Sequence, residues 1–248
     1  QRKRTRKSAE VFSPAWLCNE MAGLCDEEWF GRKDVFNTAS PGHTWQAAAG
    51  KIPFPPGKTW QNYVGRTCLE LACGEAPFLV SRYDAASGTP IPVEKRVGLL
   101  DRKLRVIGER VRTEKSWFRH TLRAFKSIYG YEYQGDNLLL ARENLLLSFV
   151  DYYRARWRHA PSMPQLLKVA DIIAWNIWQM DGLTDSIPFA QTDTSQLDLF
   201  LFADRDALAP SSLCKIRLWP LRKNVYLKQL KGNPSMKFDV VIGNPPYQ

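Results

Sequence analysis

The chain has little of what marks a membrane, secreted or metal-binding protein. No run of apolar residues among its 248 residues is long enough to cross a bilayer. Residues 1–7 are basic and polar and do not form a signal pattern. The five cysteines are odd in number and lack the paired spacing of metal ligands. We therefore expect a cytoplasmic protein with reduced thiols and no bound metal.

Acidic residues are also scarce in the chain. Its 25 aspartates and glutamates stand against 35 lysines and arginines, which leaves a net charge of +10. A surplus of this size favours polyanionic partners, and nucleic acid is the usual one, although part of the charge can belong to a solvated tail. No cluster of carboxylates and lysine typical of a metal-dependent nuclease stands out, so no cleavage residues are assigned.

The chain does have the apolar content for a substantial core, with 44% hydrophobic residues and nine tryptophans. Residues 59–183 read as alternating strands and helices, which predicts an α/β fold with a mostly parallel sheet and flanking helices. A helix around residues 117–127 carries a basic face that can touch phosphates or simply be solvated. Farther on, the runs 215–219 and 225–227 can pair as a hairpin.

The last ten residues are the most informative part of the sequence. Residues 239–243 read as a buried strand that runs directly into Asn244, Pro245, Pro246 and Tyr247. The Asn244 amide oxygen and a backbone carbonyl at Pro245 can accept the two N–H protons of a flat, amino-bearing group, which stabilises the charge that builds on its nitrogen. The prolines fix φ, and Tyr247 offers a face for stacking a base. Alternatively, the segment is only a proline-rich turn after a strand.

This tetrapeptide resembles the catalytic loop of the amino-group DNA methyltransferases, the adenine-N6 enzymes above all. Upstream, residues 67–79 read as strand, tight turn and helix, and resemble the S-adenosylmethionine loop of the same enzymes. Glu70 stands at the acid of that loop, with Ala72 and Gly74 at its alanine and first glycine. Its second glycine is replaced by Ala76, which departs from the family pattern.

Acids at strand ends supply two further candidates for holding the cofactor. Residues 96–101 look like the next parallel strand, so Asp101 is expected to bind ribose hydroxyls. It can instead cap the helix that follows. Residues 172–183 read as another strand ending in an acid, and the resemblance assigns Asp181 to the adenine of the cofactor. A rival, Asp136, lies at the start of an evident helix and is interpreted as a cap or first-turn charge.

A segment near the start of the chain resembles the lid that closes over the methionine part of the cofactor in these enzymes. It contains Phe12, Ser13 and Pro14, with serine in place of the commoner threonine. The alternative is a helix start with Ser13 as N-cap and Pro14 at the first helical position. Both can hold, because a helix start also suits a carboxylate.

The order of lid, cofactor loop and catalytic loop resembles the gamma arrangement of adenine-N6 DNA methyltransferases of bacterial restriction-modification systems. The resemblance implies a Rossmann-like, S-adenosylmethionine-dependent enzyme that methylates adenine in double-stranded DNA. We expect residues 1–58 to form a basic arm and lid segment. Residues 59–248 would form a partial catalytic domain with an irregular insertion at about 184–236. Methylation of RNA or of protein glutamine, and an inactive nucleic-acid-binding fragment, remain alternatives.

A complete sheet of this family has further strands after the catalytic loop, and a target-recognition region that reads bases. We therefore expect a sheet that is incomplete at its C-terminal end. A longer protein or another polypeptide would complete it and supply the target-recognition or restriction region. The chain alone is expected to bind cofactor weakly and to methylate no DNA.

Overall fold

A four-stranded parallel sheet lies at the centre of the molecule. The computed structural model describes residues 12–188, 212–227 and 237–244. The strands of the sheet are β3 (Cys68–Leu71), β4 (Ile128–Glu132), β5 (Ile177–Gln179) and β8 (Val240–Gly243). Their order is β5-β4-β3-β8, and every neighbouring pair is parallel. The predicted α/β class with a parallel sheet is confirmed.

The strand order reverses at β3. The chain first adds β4 and β5 on one side of β3 and then returns to place β8 on the other side. The carboxyl ends of β3 and β8 therefore form a topological switch point, where open α/β sheets bind their ligands. Among the described residues, β8 pairs only with β3.

Six α-helices and two small hairpins surround this sheet in the described part of the chain. The helices are α1 (Ala15–Phe30), α2 (Trp60–Gly65), α3 (Leu99–Arg110), α4 (Glu114–Phe125), α5 (Gly135–Trp157) and α6 (Met163–Asn176). The hairpins pair β1 (Asn37–Ser40) with β2 (Thr44–Ala47), and β6 (Lys215–Leu218) with β7 (Lys223–Tyr226). The hairpin predicted near residues 215–227 is confirmed. No helix in the described ranges is long and apolar enough to cross a membrane.

The two faces of the sheet have different covers, because successive strand residues point to opposite sides. Cys68 and Ile128 belong to the large cluster that contains side chains from all six helices. Their neighbours Leu69 and Tyr129 belong to a second cluster, which the β6–β7 hairpin closes with the fully buried Ile216. The sheet is thus packed between a helical layer and a hairpin.

The prediction of a strand at residues 96–101 is wrong, because that segment leads into α3. Gly98 is the N-cap of this helix and Asp101 lies in its first turn, where the carboxylate accepts a hydrogen bond from the Gly98 N–H at 3.1 Å. Apolar residues at helical spacing, such as Leu100 and Leu104, are buried against the core. Asp101 therefore caps a helix, which is the alternative that the sequence left open.

Two other element predictions need correction. No helix follows the glycine turn directly, because the chain from Ala72 to Gly98 is irregular apart from the short 3₁₀ helix Val93–Lys95. The segment that looked like one strand from residue 172 is the end of α6 followed by the three-residue strand β5. In the second place a short apolar run fits a helix or a strand equally well by its pattern.

A buried ion pair attaches α1 to α3. Asp26 and Arg102 are 1% and 3% exposed, and Arg102 Nη1 donates to Asp26 Oδ2. The Tyr63 hydroxyl donates to the other carboxylate oxygen at 2.8 Å, and Arg102 Nη2 donates to the Asn19 side chain at 2.8 Å. Each charge has several partners, so the pair is fully hydrogen-bonded inside the core.

We predict that Gly98→Ala severely destabilises the fold, while Gly108→Ala in the same helix does not. A Cβ on Gly98 would lie 2.4 Å from the Leu79 carbonyl oxygen, whereas one on Gly108 meets nothing within 4 Å. Overpacking against backbone should cost about 3 kcal/mol, and the helix-interior alanine should gain about 1 kcal/mol. Urea unfolding measures both, and equal effects would contradict this packing.

Candidate functional site

The structure brings the two ends of the described chain together at the switch point. In the register of β3 and β8, Leu71 lies opposite Gly243, so the next residue, Asn244, leaves the sheet beside the glycine turn. Asn244 Nδ2 donates to Ser13 Oγ at 3.2 Å. The predicted lid and the predicted catalytic loop therefore meet at side chains 231 positions apart. Pro245, Pro246 and Tyr247 lie outside the described residues.

The turn after β3 has three residues with positive φ. Ala72, Gly74 and Ala76 have φ values of 45°, 53° and 62°. Ala76 stands where the family pattern has its second glycine, and it adopts the left-handed conformation at a cost of about 1 kcal/mol. The sharp turn is thus present without that glycine. A Cβ at Gly74 would meet nothing within 4 Å, so one side of the turn is open.

Glu70 forms hydrogen bonds with the segment that follows this turn. Its carboxylate is 1% exposed and accepts the N–H groups of Phe78 at 3.3 Å and Leu79 at 3.2 Å. Burial raises the pKa of Glu70 well above its ordinary value, the two amides oppose that rise, and the charge of Glu132 adds to it. The carboxylate thus faces the backbone of its own loop.

Glu132 is the functional candidate that sequence reasoning missed. It ends β4, the neighbour of β3, and its carboxylate accepts the Gly74 N–H at 2.7 Å and the Gln134 N–H at 3.0 Å. An acid thus lies at the carboxyl end of the strand next to the glycine turn, where Asp101 had been expected. Its sequence signal was present, because a short run of β-forming residues ends in this acid just before a helix.

The acids predicted at strand ends have different surroundings. Asp101 is 1% exposed and its carboxylate accepts from the Ser81 N–H at 2.8 Å, so it lies inside the loop packing. Burial raises its pKa, against the opposing charge of Arg96 and hydrogen bonds from Ser81 and Gly98. Asp181 lies two residues beyond β5, at the carboxyl edge, and its Oδ1 accepts the Leu183 N–H at 2.9 Å. Asp136 lies in the first turn of α5, as predicted.

The start of α1 differs from the predicted helix cap. Pro14 is the N-cap and Ala15 the first helical residue, so Ser13 precedes the helix and does not cap it. The Ala15 N–H donates to Asp84 Oδ2 at 2.8 Å. Partial burial raises the pKa of Asp84, but hydrogen bonds from Ala15, Ser87 and Ala86 outweigh it and leave the pKa below its ordinary value. A carboxylate of the chain itself therefore occupies this helix start, while Ser13 stays directed at Asn244.

A pocket of about 220 Å³ lies elsewhere, between α1 and the β1–β2 hairpin. Its lining includes Trp16 and His43, whose rings stack with centroids 4.2 Å apart. None of the residues predicted to bind cofactor or substrate lines it. Within the part of the chain that the structure describes, no group of three or more histidine, cysteine, aspartate or glutamate side chains is placed to hold a metal ion.

Comparison with known families bears on the second half of the chain. Residues 126–248 match the family model described as Eco57I restriction-modification methylase. This part of the chain is thus similar to restriction-modification methylases, and the match supports methyl transfer in such a system. It contains Glu132, Asp181 and Asn244, whereas Ser13 and the glycine turn precede it. No curated protein and no solved structure matches the chain.

We predict that Glu70 makes stability depend on pH in the direction opposite to a salt-bridged acid. Because its pKa is raised in the folded state, its contribution is fully present below about 4.5, its ordinary value, and is lost as pH rises toward the folded pKa. The free energy of unfolding of the wild type should therefore fall relative to that of Glu70→Gln between pH 4 and pH 8.

Denaturant unfolding at a series of pH values measures this difference. The matched control is Glu28→Gln, which removes an exposed acid of α1 and should show no such trend. A difference for Glu70→Gln that is constant with pH, or that grows in favour of the wild type, would contradict the assignment.

Proposed function

We propose that the protein transfers a methyl group from S-adenosylmethionine to the N6 amino group of adenine in double-stranded DNA, as part of a restriction-modification system. One observation carries the proposal. Asn244 leaves β8 at the switch point, beside the glycine turn of β3, with its amide held 3.2 Å from the hydroxyl of the lid residue Ser13. The similarity of residues 126–248 to restriction-modification methylases supports it.

The residues at the carboxyl edge fit S-adenosylmethionine. From one end of the sheet to the other they present Asp181 after β5, Glu132 at the end of β4, Gly74 after β3 and Asn244 after β8. Carboxylates at these two strand ends suit the hydroxyls and amine of a nucleoside. The open side of the turn at Gly74 allows close approach to its backbone. The cofactor, when bound, supplies an electrophilic methyl group.

We assign the ribose hydroxyls to Glu132 and not to Asp101. Both carboxylates accept backbone N–H groups, but Glu132 ends the strand adjacent to the glycine turn and is hydrogen-bonded to it. Asp101 instead lies in the first turn of α3. Glu70 would act by shaping the turn together with Ala72. The lid contribution comes from Ser13, flanked by the half-buried Phe12 and Pro14.

Asn244 has a defined direction for its amide. Because Nδ2 is the amide atom that donates to Ser13 Oγ, we assign Oδ1 as the atom that accepts an N–H of the target amine. Accepting that proton shifts electron density onto the nitrogen and stabilises the charge that develops there. In this proposal the Pro245 carbonyl accepts the second N–H, Pro246 keeps the segment rigid and Tyr247 stacks on the extruded base.

Double-stranded DNA is the proposed substrate, and the net charge of +10 is compatible with it. In the proposal, a target-recognition region in sequence beyond residue 248, or on another chain, supplies base readout. Methylation of RNA or of glutamine remains as an outcome of the experiments, since an amide and a base amine pose the same chemical problem.

We predict that Asn244→Ala, made in the protein as its host produces it, abolishes N6-methyladenine at the sites that this protein modifies. Loss of the amide acceptor removes a stabilisation specific to the transition state, expected to lower the rate 100-fold or more. Sequencing that detects modified bases in host DNA measures the result. The control is Asn62→Ala, at an exposed asparagine of α2. Marks that persist in Asn244→Ala, or marks on cytosine, RNA or glutamine, would overturn the proposal.

We predict that Glu132→Gln weakens S-adenosylmethionine binding by 10-fold to 100-fold, while Asp101→Asn leaves the affinity within about 3-fold and lowers stability. Hydrogen bonds to a charged group contribute about 1.5–3 kcal/mol, which corresponds to this loss of affinity. Isothermal calorimetry of the purified chain with the cofactor measures the affinities, and thermal unfolding measures stability. If Asp101→Asn weakens cofactor binding and Glu132→Gln does not, the ribose role returns to Asp101.

A further inference from the structure

Cations and aromatic rings alternate on the surface beside the β6–β7 hairpin. The Arg217 guanidinium lies over two rings, 5.7 Å from the centre of Trp175 and 4.9 Å from the centre of Trp219. Lys126 Nζ lies 4.9 Å from the same Trp219 ring. We call Trp175, Arg217, Trp219 and Lys126 the cation–aromatic ladder. Beside it, Lys215 Nζ lies 4.9 Å from the Tyr226 ring centre.

The alternation of β6 builds this surface. Ile216 points into the sheet and is fully buried, so its neighbours Lys215 and Arg217 project from the opposite face of the hairpin. Trp219 is fixed by its Nε1, which donates to Asn176 Oδ1 at 2.8 Å. Asn176 in turn donates to the Phe125 and Ile128 carbonyls. The ladder is therefore anchored in the core and held in place before any partner arrives.

No acid in the described ranges neutralises the charges of this surface. Five cations belong to the hairpin and the ladder: Lys126, Lys215, Arg217, Arg222 and Lys223. None of them forms an ion pair with another described residue, unlike the buried Arg102 and the Arg96 that pairs with Asp151. A ring orders a cation by its quadrupole without cancelling the charge. With respect to residues 12–188, 212–227 and 237–244, the surface thus keeps its positive charge for an external anion.

The ladder also lies at the end of the sheet opposite the candidate site. Lys126 precedes β4 and Asn176 precedes β5, so Trp219 packs at the amino ends of these strands. Asn244 and the glycine turn are at the carboxyl ends. At about 3.4 Å per residue, the strands separate the two regions by about 15 Å.

We propose that the cation–aromatic ladder and the adjoining lysines bind the phosphate backbone of duplex DNA. Lys215 and Arg217 project from one face of a strand about 7 Å apart, which suits repeated backbone charges better than a single anion. The choice of DNA as polyanion rests on the proposed function, and the surface itself rests on the ladder geometry. Such contacts position a protein on DNA without reading sequence.

Duplex binding at several salt concentrations tests the proposal. The labelled probe is a 20-base-pair duplex, followed by fluorescence anisotropy without cofactor. In Lys126→Gln/Lys215→Gln the slope of log K against log salt should decrease in magnitude by about 2, since each phosphate contact contributes about 0.9. The control Lys51→Gln/Lys95→Gln removes the same charge at two exposed positions elsewhere and should keep the wild-type slope.

If the ladder variant and the control variant change the slope equally, the effect comes from net charge alone and the proposal is overturned. No change of slope in either variant also overturns it. Parallel titrations use an RNA hairpin and polyglutamate. A ladder variant that weakens one of these and not duplex DNA also overturns it. If circular dichroism shows that Lys126→Gln/Lys215→Gln is unfolded, Lys215→Gln/Lys223→Gln replaces it, because both lysines are exposed.

The Asn244→Ala variant separates this inference from the proposed function. It should bind duplex DNA with the wild-type salt slope, because Asn244 is remote from the ladder. If the ladder variants change the salt slope but the protein makes no N6-methyladenine, the DNA-binding surface is supported and the proposed methyl transfer is contradicted. Host methylation combined with an unaltered slope in the ladder variants would do the reverse.

Discussion

The site depends on the register in which β8 joins β3. Reciprocal hydrogen bonds set that register at the entrance of both strands. Asp239 Oδ2 accepts the backbone N–H of Thr67 at 2.7 Å and its hydroxyl at 2.9 Å, and the Asp239 N–H donates to Thr67 Oγ1 at 3.0 Å. A shift by one residue would turn Val240 and Ile242 out of the core and displace Asn244 by about 3.4 Å. The hydrogen bonds between Thr67 and Asp239 at one end of the strand therefore position Asn244 at the other end.

The second constraint is the attachment of the N-terminal helix. Ser13, which contacts Asn244, precedes α1, and α1 is fixed on α3 through Asp26 and Arg102. Removing one partner would leave a buried charge without compensation, which costs about 3–5 kcal/mol. The buried pair therefore requires both partners, and it fixes the orientation of α1 on α3. It links the lid to the same helix whose first turn packs on the loop around Leu79.

Local chemistry made some of the site predictable from sequence. Three predicted residues lie in segments whose residue types are limited by local backbone conformation and hydrogen bonding. The structure places all three, Asn244, Gly74 and Ser13, at or beside the switch point. Glu70 was predicted for the same reason, and its carboxylate accepts backbone N–H groups of the loop.

The errors arose where pattern alone cannot choose between helix and strand. The apolar run before Asp101 belongs to the start of α3, since Gly98 allows the chain to pack directly against the Leu79 carbonyl. This long-range contact has no local signal. Taking that run for a strand also displaced the search for the second acid, and the true strand end at Glu132 was passed over for that reason.

The bond between Ser13 and Asn244 has a consequence for how the protein is made. Residues near the two ends of the described chain must both be present before the amide is oriented. During synthesis, the helices, β3, β4 and β5 can assemble while the last strand is still inside the ribosome. The amide that we propose as acceptor for the target amine is then oriented in one late step, when the emerging β8 closes against Thr67. Under the proposed function, a nascent chain in which only the helices, β3, β4 and β5 have assembled would therefore still be inert toward the host chromosome.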